Sequence, residues 1–240
     1  MNTTYSSKKR GRAELIAAAV LFLLFLLLIL ALKTVDLQRN APEFPPVGLA
    51  GLNFAARRLF GMLNPTWSRI TDLLGVIVLI TAGGFACLGF FQLFTRKSLR
   101  KVDTDLYLLA ALYILTAMFY LFFEICVVNF RPVHINRKLE PSFPSSHTLL
   151  AISVMGSAIF QFKRRLRSRT ARAIIIPVCA GILFMTVLGR ALSGLHWFTD
   201  ILGGILLGSA LCLLYTGTVR LLCPQQKKHR AKRHIRTVPN

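Results

Sequence analysis

The sequence predicts an all-α fold, a polytopic membrane protein built as a six-transmembrane-helix bundle with an extracytoplasmic interfacial helix. Three observations predict it. Of 240 residues, 54% are hydrophobic and only 16% charged, with a mean hydropathy of +0.57, which is far more apolar than a soluble domain of this size requires. The apolar residues gather into six stretches, at about 14–32, 73–94, 106–128, 147–162, 173–189 and 201–222, and most hold the ~17–25 residues a helix needs to cross the hydrocarbon core. The basic residues collect on alternate sides of those stretches.

In chain order, a basic leader, 1–13, with Lys8, Lys9, Arg10 and Arg12, precedes the first stretch. That stretch is too long for a signal-peptide core and ends at Leu32-Lys33 without a small-residue cleavage site, so it reads as an uncleaved signal anchor. Segment 33–72 follows, punctuated by Pro42, Pro45, Pro46 and Pro65. Within it Leu49, Leu52, Ala56, Leu59, Phe60 and Leu63 recur at helical spacing while Arg57 and Arg58 share another face, the pattern of an amphipathic helix lying in the outer interface. Its expected role is to tie two spans together, ahead of the alternative that it guides a lipid headgroup toward the site. The fourth stretch is the shortest, so a tilted helix or one that starts earlier is expected there. A basic tail, 223–240, closes the chain, and with no long polar linker or repeat to divide it, 1–240 reads as a single membrane domain.

The placement of charge decides what a formal net charge of +21 means. With both termini cytoplasmic, 21 of the 30 Lys and Arg residues lie inside, in the leader, 95–105, 163–172 and the segment from Arg220. Lys33, Arg39, Arg57, Arg58, Arg69, Arg131, Arg137, Lys138 and Arg190 lie outside. This is the positive-inside pattern of a multi-pass protein of a cell membrane, and Lys227, Lys228, Arg230, Lys232 and Arg233 of the tail are expected to rest on anionic lipids at the cytoplasmic face. Nucleic acid is not an expected partner, because no aromatic interleaving or binding fold accompanies the charge. Cys87, Cys126, Cys179, Cys212 and Cys223 have no paired spacing, and no Cys/His cluster has metal-ligand spacing, so neither a metal nor a cofactor is expected.

Three separated segments carry the chemistry: Arg131-Pro132; Pro144-Ser145-Ser146-His147; and Arg190 with His196 and Asp200. Between His147 and Arg190 the chain crosses inward and then outward, an even number of crossings, so all three segments reach the outer face and can converge. If the sixth span begins near His196, that histidine and Asp200 stand one helical turn apart, where a carboxylate can accept a hydrogen bond from imidazole and leave the other ring nitrogen free to attack. Arg131 and Arg190 offer planar forks to phosphate oxygens, Ser145 a hydroxyl, and the N–H groups near Ser146 and His147 a helix start that favours anions. His147 is a candidate acid for the leaving oxygen. The plainer reading of Arg190 and Asp200 is an ion pair at helix ends, that of Trp197 an interfacial aromatic, and that of His134, Arg137 and Lys138 solvated surface.

These residues resemble the three motifs of the type 2 phosphatidic acid phosphatase family, written K-x-x-x-x-x-x-R-P, P-S-G-H and S-R-x-x-x-x-x-H-x-x-x-D, over about 124–200. The resemblance implies a membrane helical bundle that removes phosphate from lipid phosphates, without a metal, through a phosphohistidine. It makes His196 the nucleophile, Asp200 its orienting partner and His147 the general acid, with Arg131, Ser145, Ser146 and Arg190 around the phosphate.

Three positions depart from the motifs. Glu124 stands where the family has lysine, Ser146 where it has glycine, and Gly189 where it has serine. Glu124, a possible specificity modulator, is costly in hydrocarbon and is expected to pair with Arg131, Arg190 or Lys138, tuning the pocket to a less highly charged substrate. The expected function is an extracytoplasmic lipid phosphatase acting on a phosphorylated or diphosphorylated membrane lipid such as phosphatidic acid, phosphatidylglycerol phosphate or a polyprenyl diphosphate. The alternatives are transfer of the phosphoryl group to an alcohol, a catalytically impaired lipid-binding protein, and, more weakly, a serine hydrolase using Ser145 with His147, which lacks a G-x-S-x-G elbow. The compact layout and the lack of an organelle-retention signal point to a bacterial membrane.

Overall fold

Each of the six apolar stretches folds as an α-helix, and a shorter helix lies between the first two. The computed structural model describes residues 2–61, 63–134 and 138–223, with side chains from Tyr5 onward. Beyond Cys223 the basic tail lies outside the described residues, as does Arg137. The helices are α1 (Asn2–Thr34), α2 (Ala50–Phe60), α3 (Pro65–Arg96), α4 (Thr104–Ile125), α5 (Ser146–Arg165), α6 (Arg169–Ser193) and α7 (Phe198–Leu222), with a 3-10 turn at Leu99–Lys101. Among the described residues no strand forms; Gln38–Val47 and Phe130–Pro141 are isolated antiparallel bridges.

Local chemistry sets the ends that matter for the site. Asn64 caps α3 by accepting from the N–H groups of Thr66 and Trp67, and Pro65 occupies the first helical position, where its missing N–H is no loss. The helix therefore begins eight residues before the apolar stretch that announced it, and Asp72 falls within its second turn. At the other end of the bundle, Ser168 caps α6 through the N–H of Ala171. Gly194 ends α6 in the left-handed conformation, with φ 68° and ψ 9°, which a glycine adopts at little cost.

Five helices, α1, α3, α4, α6 and α7, are long and apolar enough to cross a membrane. The expected sixth span, α5, does not meet that measure, and its surroundings explain why. It packs against α3, α4, α6 and α7 at once, and 11 of its 20 residues are buried, so neighbouring protein rather than lipid surrounds it. A helix so placed can carry Ser157 and Gln161 because protein groups take their hydrogen bonds: Ser157 meets Tyr113, and Gln161 donates to Tyr215. Helix α1 packs chiefly along α7, where Glu14 pairs with Arg220 at 2.8 Å.

The end of the bundle away from the motifs is fastened by charge. Arg165 reaches Asp103 at 2.9 Å and Asp105 at 2.7 Å, and Arg96 reaches Asp103 at 2.8 Å, joining α3, α4 and α5. Burial raises the Asp103 carboxyl, but hydrogen bonds from Arg96, Gln92 and Arg165 outweigh it and hold the group down at about 2.

Helix α2 docks on the bundle by a polar contact and turns apolar residues outward. Its buried residues are Ala50 and Asn53, whereas Leu52 and Leu59 of the expected apolar face are exposed. Polarity at position 53 is the reason: the Asn53 amide donates to Gly48 O and Thr199 Oγ1, and its oxygen accepts from the Thr199 N–H, so α2 docks on the first turn of α7 through hydrogen bonds.

Candidate active site

The segment between α4 and α5 folds back on itself and so delivers Arg131. The Ser142 N–H donates to Asn129 O and the Arg131 N–H to Glu140 O, flanking the Phe130–Pro141 bridge. Trp197 pins this return to α7: its indole N–H donates to Phe130 O at 2.8 Å, and the Arg57 guanidinium lies over its ring while donating to Pro132 O. Trp197 is buried, and it serves as a peg between segments rather than the interfacial aromatic expected.

The start of α7 holds His196 and Asp200. Asp200 Oδ2 accepts from the Trp197 N–H at 2.9 Å and Oδ1 from the Asn129 amide at 3.1 Å, so the carboxylate closes the first turn of the helix and ties it to the returning segment. His196 precedes the helix by two residues. Its Nδ1 lies 3.1 Å from Ser142 O and 3.8 Å from Asp200 Oδ2. A carbonyl can only accept, so Nδ1 carries the proton and Nε2 keeps its lone pair. Burial lowers the affinity of His196 for a second proton, the charges of Arg131 and Arg190 act in the same direction, and Asp200 opposes them; the net shift is below the ordinary 6.5.

Arg190, in the last turn of α6, is almost completely buried, and its Nη2 lies 2.6 Å from Asp72 Oδ1. The expected Arg190–Asp200 ion pair is not formed, because Asp200 is engaged by amides and Asp72 is nearer. The same Asp72 oxygen lies 3.3 Å from His147 Nε2. His147 sits in the first turn of α5 and is exposed to the charges of Arg190, His196 and Arg131, which places both histidines and both arginines in one neighbourhood. Arg131 Nε lies 3.3 Å from Glu140 Oε2.

The two serines separate. Ser145 is fully buried, its N–H donates to Asp200 O, and its hydroxyl accepts from Thr148. No hydrogen bond between that hydroxyl and His147 is present among the described residues. Ser146, at the family's glycine position, lines two adjoining clefts: one with Asp72 and His147, the other with Arg131 and His196. Glu124 lines the second and is exposed, in contact with Tyr120. No ion pair to Glu124 forms among the described residues, since Arg131 faces Glu140 and Arg190 faces Asp72. Gly189, at the family's serine position, has a local cause: a Cβ there would lie 2.5 Å from Thr71 Cγ2, so Thr71 of α3 already fills that place.

The first cleft continues as an apolar cavity of about 490 Å³ between α3, α4 and α5, with Leu79, Ala82, Tyr113 and Leu150 in its walls. Tyr113 also lines a second cavity, of about 370 Å³, deeper between α3 and α4. No three His, Cys, Asp or Glu side chains are grouped as a metal would need, among the described residues.

Sequence reasoning missed Asp72, Asn129, the Ser142 carbonyl and Asn53. Only Asp72 left a signal, as a lone carboxylate at the head of an apolar stretch, where ionisable groups are commonly functional.

Fold and site together define a multi-pass membrane protein with paired histidines and paired arginines at one end of a helical bundle. Residues 126–222 match the family described as the PAP2 superfamily. In overall structure the chain is similar to the crystal structure of a transmembrane PAP2-type phosphatidylglycerolphosphate phosphatase from Bacillus subtilis, with a TM-score of 0.62 and 20% identity over 89% of this chain and 98% of that one. No curated protein matches the sequence.

Proposed function

We propose that this protein is a metal-independent phosphatase of membrane lipid phosphates that works through a phosphohistidine. The observation that carries the reading is the meeting of His196, with an unprotonated Nε2, and His147 beside two arginines, where His147 opens onto an apolar cavity and His196 lines the adjoining cleft. The Nε2 lone pair of His196 attacks phosphorus, the bond from phosphorus to the lipid oxygen breaks, and a proton from His147 passes to that oxygen. Water then attacks phosphorus, returning a proton to His147; the bond to Nε2 breaks and phosphate leaves. Arg131 and Arg190 stabilise the charge on the non-bridging oxygens, and the N–H groups that open α5 add donors.

A lipid substrate follows from the cavity, whose apolar walls run from His147 along α3, α4 and α5 and suit a hydrocarbon chain. The distribution of basic residues supports an extracytoplasmic site with both described ends of the bundle's outer helices, α1 and α7, directed to the cytoplasm at Tyr5 and Leu222. The exposed Leu52 and Leu59 support α2 as a helix resting in the outer interface. α5, enclosed by its neighbours, supplies the sixth crossing.

The test is phosphate release by purified protein from phosphatidic acid, phosphatidylglycerol phosphate and a polyprenyl diphosphate, with chelator present and with product analysis in the presence of an alcohol. Release that survives chelation, with an acid-labile phosphoenzyme that disappears in His196→Ala, is expected. A normal phosphoenzyme in His196→Ala would sink the mechanism, and phosphorylated alcohol as the main product would make the protein a transferase.

A further inference from the structure

Asp72 lies outside the segment that matches the family, on α3, yet it touches two of the groups on which the mechanism depends. One oxygen, Oδ1, bridges Arg190 Nη2 at 2.6 Å and His147 Nε2 at 3.3 Å. The approach of α3 is built for it: Gly75, one turn on, has the His147 ring so near that a Cβ there would lie 3.2 Å from Cδ2 and 3.3 Å from Nε2. Arg190 is buried, and its Nε–H has no acceptor among the described residues, so Asp72 engages one edge of the guanidinium and leaves another donor unmatched.

An oxygen shared between a guanidinium and an imidazole nitrogen is also what a phosphate ester presents in the proposed reaction. Arg190 would hold a non-bridging oxygen and His147 the leaving one. Asp72 therefore offers the same two partners the same kind of atom. We propose that Asp72 is a positioning residue that fixes Arg190 and His147 relative to each other and competes with the substrate's phosphate for them. The proposal rests on the phosphatase reading for its kinetic consequences, but not for its effect on phosphate binding.

Competition has a direction. A dianionic phosphate must displace or share a carboxylate that is already paired, so Asp72 weakens phosphate binding while improving the alignment of His147 for the leaving oxygen. The neighbouring charges act alike: Glu140 beside Arg131, and Glu124 where the family has lysine, leave the site with no excess of cation over anion. A group that merely held the fold would move binding and turnover together. Asp72 is expected to move them apart.

The experiment compares wild type with Asp72→Asn and Asp72→Glu, using orthovanadate and inorganic phosphate as binding probes by calorimetry. It adds turnover of phosphatidic acid, which has a poor leaving group, and p-nitrophenyl phosphate, which has a good one. In Asp72→Asn, phosphate and vanadate should bind about tenfold more tightly, as expected for removal of one charged competitor. Its kcat on phosphatidic acid should fall about 100-fold, the scale of an impaired general acid, with a much smaller loss on p-nitrophenyl phosphate, and Asp72→Glu should restore part of it. Weaker or unchanged anion binding in a folded Asp72→Asn protein, or equal losses on both substrates, overturns the proposal. If wild type binds vanadate but turns over nothing, the phosphatase reading fails while the binding comparison still decides the role of Asp72.

Discussion

The Nδ1 of His196 lies closer to the carbonyl oxygen of Ser142, at 3.1 Å, than to the carboxylate of Asp200, at 3.8 Å. The backbone therefore shares in orienting the ring, and Asp200 serves two other donors, the Trp197 N–H and the Asn129 amide. Asp200→Asn would set an amide NH₂ against one of those donors. A buried donor left without its acceptor costs about 1–3 kcal/mol, so this variant should melt measurably below wild type as well as lose activity. An unchanged melting temperature with activity abolished would mean that Asp200 acts only on the electrostatics of His196.

The acid limb of the reaction should lie low. Burial holds His196 neutral below its usual 6.5, so the proposed nucleophile stays unprotonated as pH falls through that value. The acid-limb pKa of kcat/KM, which reports the free enzyme, should fall below 6.5. The linked effect on stability has the same origin: below 6.5 the unfolded chain takes up a proton that the folded one resists, so the stability linked to His196 is full above that pH and is lost as pH falls from there through the lowered folded value. A limb at or above 6.5 contradicts the burial-dominated environment of His196.

Gly189→Ser, which restores the letter of the family motif, should harm this protein. The new side chain meets Thr71 Cγ2 and the Trp67 ring, forcing α3 from α6. Overpacking of this kind typically costs ~1–3 kcal/mol, and activity should fall as Asp72 moves away from Arg190. The double variant Thr71→Ala with Gly189→Ser should recover much of both. Equal melting temperatures for the single variant and wild type would show that Thr71 rotates freely out of the way.

What the sequence made legible here was of two kinds. Apolar runs announced the helices, and the even number of crossings expected between His147 and Arg190 allowed the segments of His147, Arg190 and His196 to converge, as these residues do. The partners of those residues were hidden. Asn129 is an ordinary polar letter in a loop, and the Ser142 contribution is a carbonyl that every residue has. Asp72 read as loop because the cap at Asn64 and Pro65, rather than hydropathy, sets where α3 begins. The docking of α2 was hidden in the same way: Leu52 and Leu59 form a clear stripe, but the face that docks on protein is chosen by the hydrogen bonds of Asn53.

Charge placement yields a prediction about sidedness. In a background with Cys87 and Cys126, both exposed, replaced by serine, single cysteines at Ser98 and Ser168 should resist an impermeant thiol reagent in intact cells, and one at Asn136 should react. Labelling at Ser168 without labelling at Asn136 would place the site in the cytoplasm.

Arg165→Ala removes two ion pairs at the end of the bundle remote from the histidines. With Arg96 still beside Asp103 and Arg164 beside Asp105, the loss should be about 2 kcal/mol, less than for an unrelieved buried charge. Melting in detergent should register that loss while KM for lipid phosphate is unchanged. A raised KM with normal stability would show instead that the charge network reaches the substrate.

The polarity of α5 also bears on how the protein is made. A helix that owes its place to α3, α4, α6 and α7 has little reason to enter the bilayer alone, and it is expected to be seated only once those neighbours have assembled. It carries Ser146 and His147 at its head. An incompletely assembled chain would thus hold many of its lipid-facing helices but no complete site, so the proposed hydrolysis of membrane lipids is expected to be withheld until biogenesis is finished.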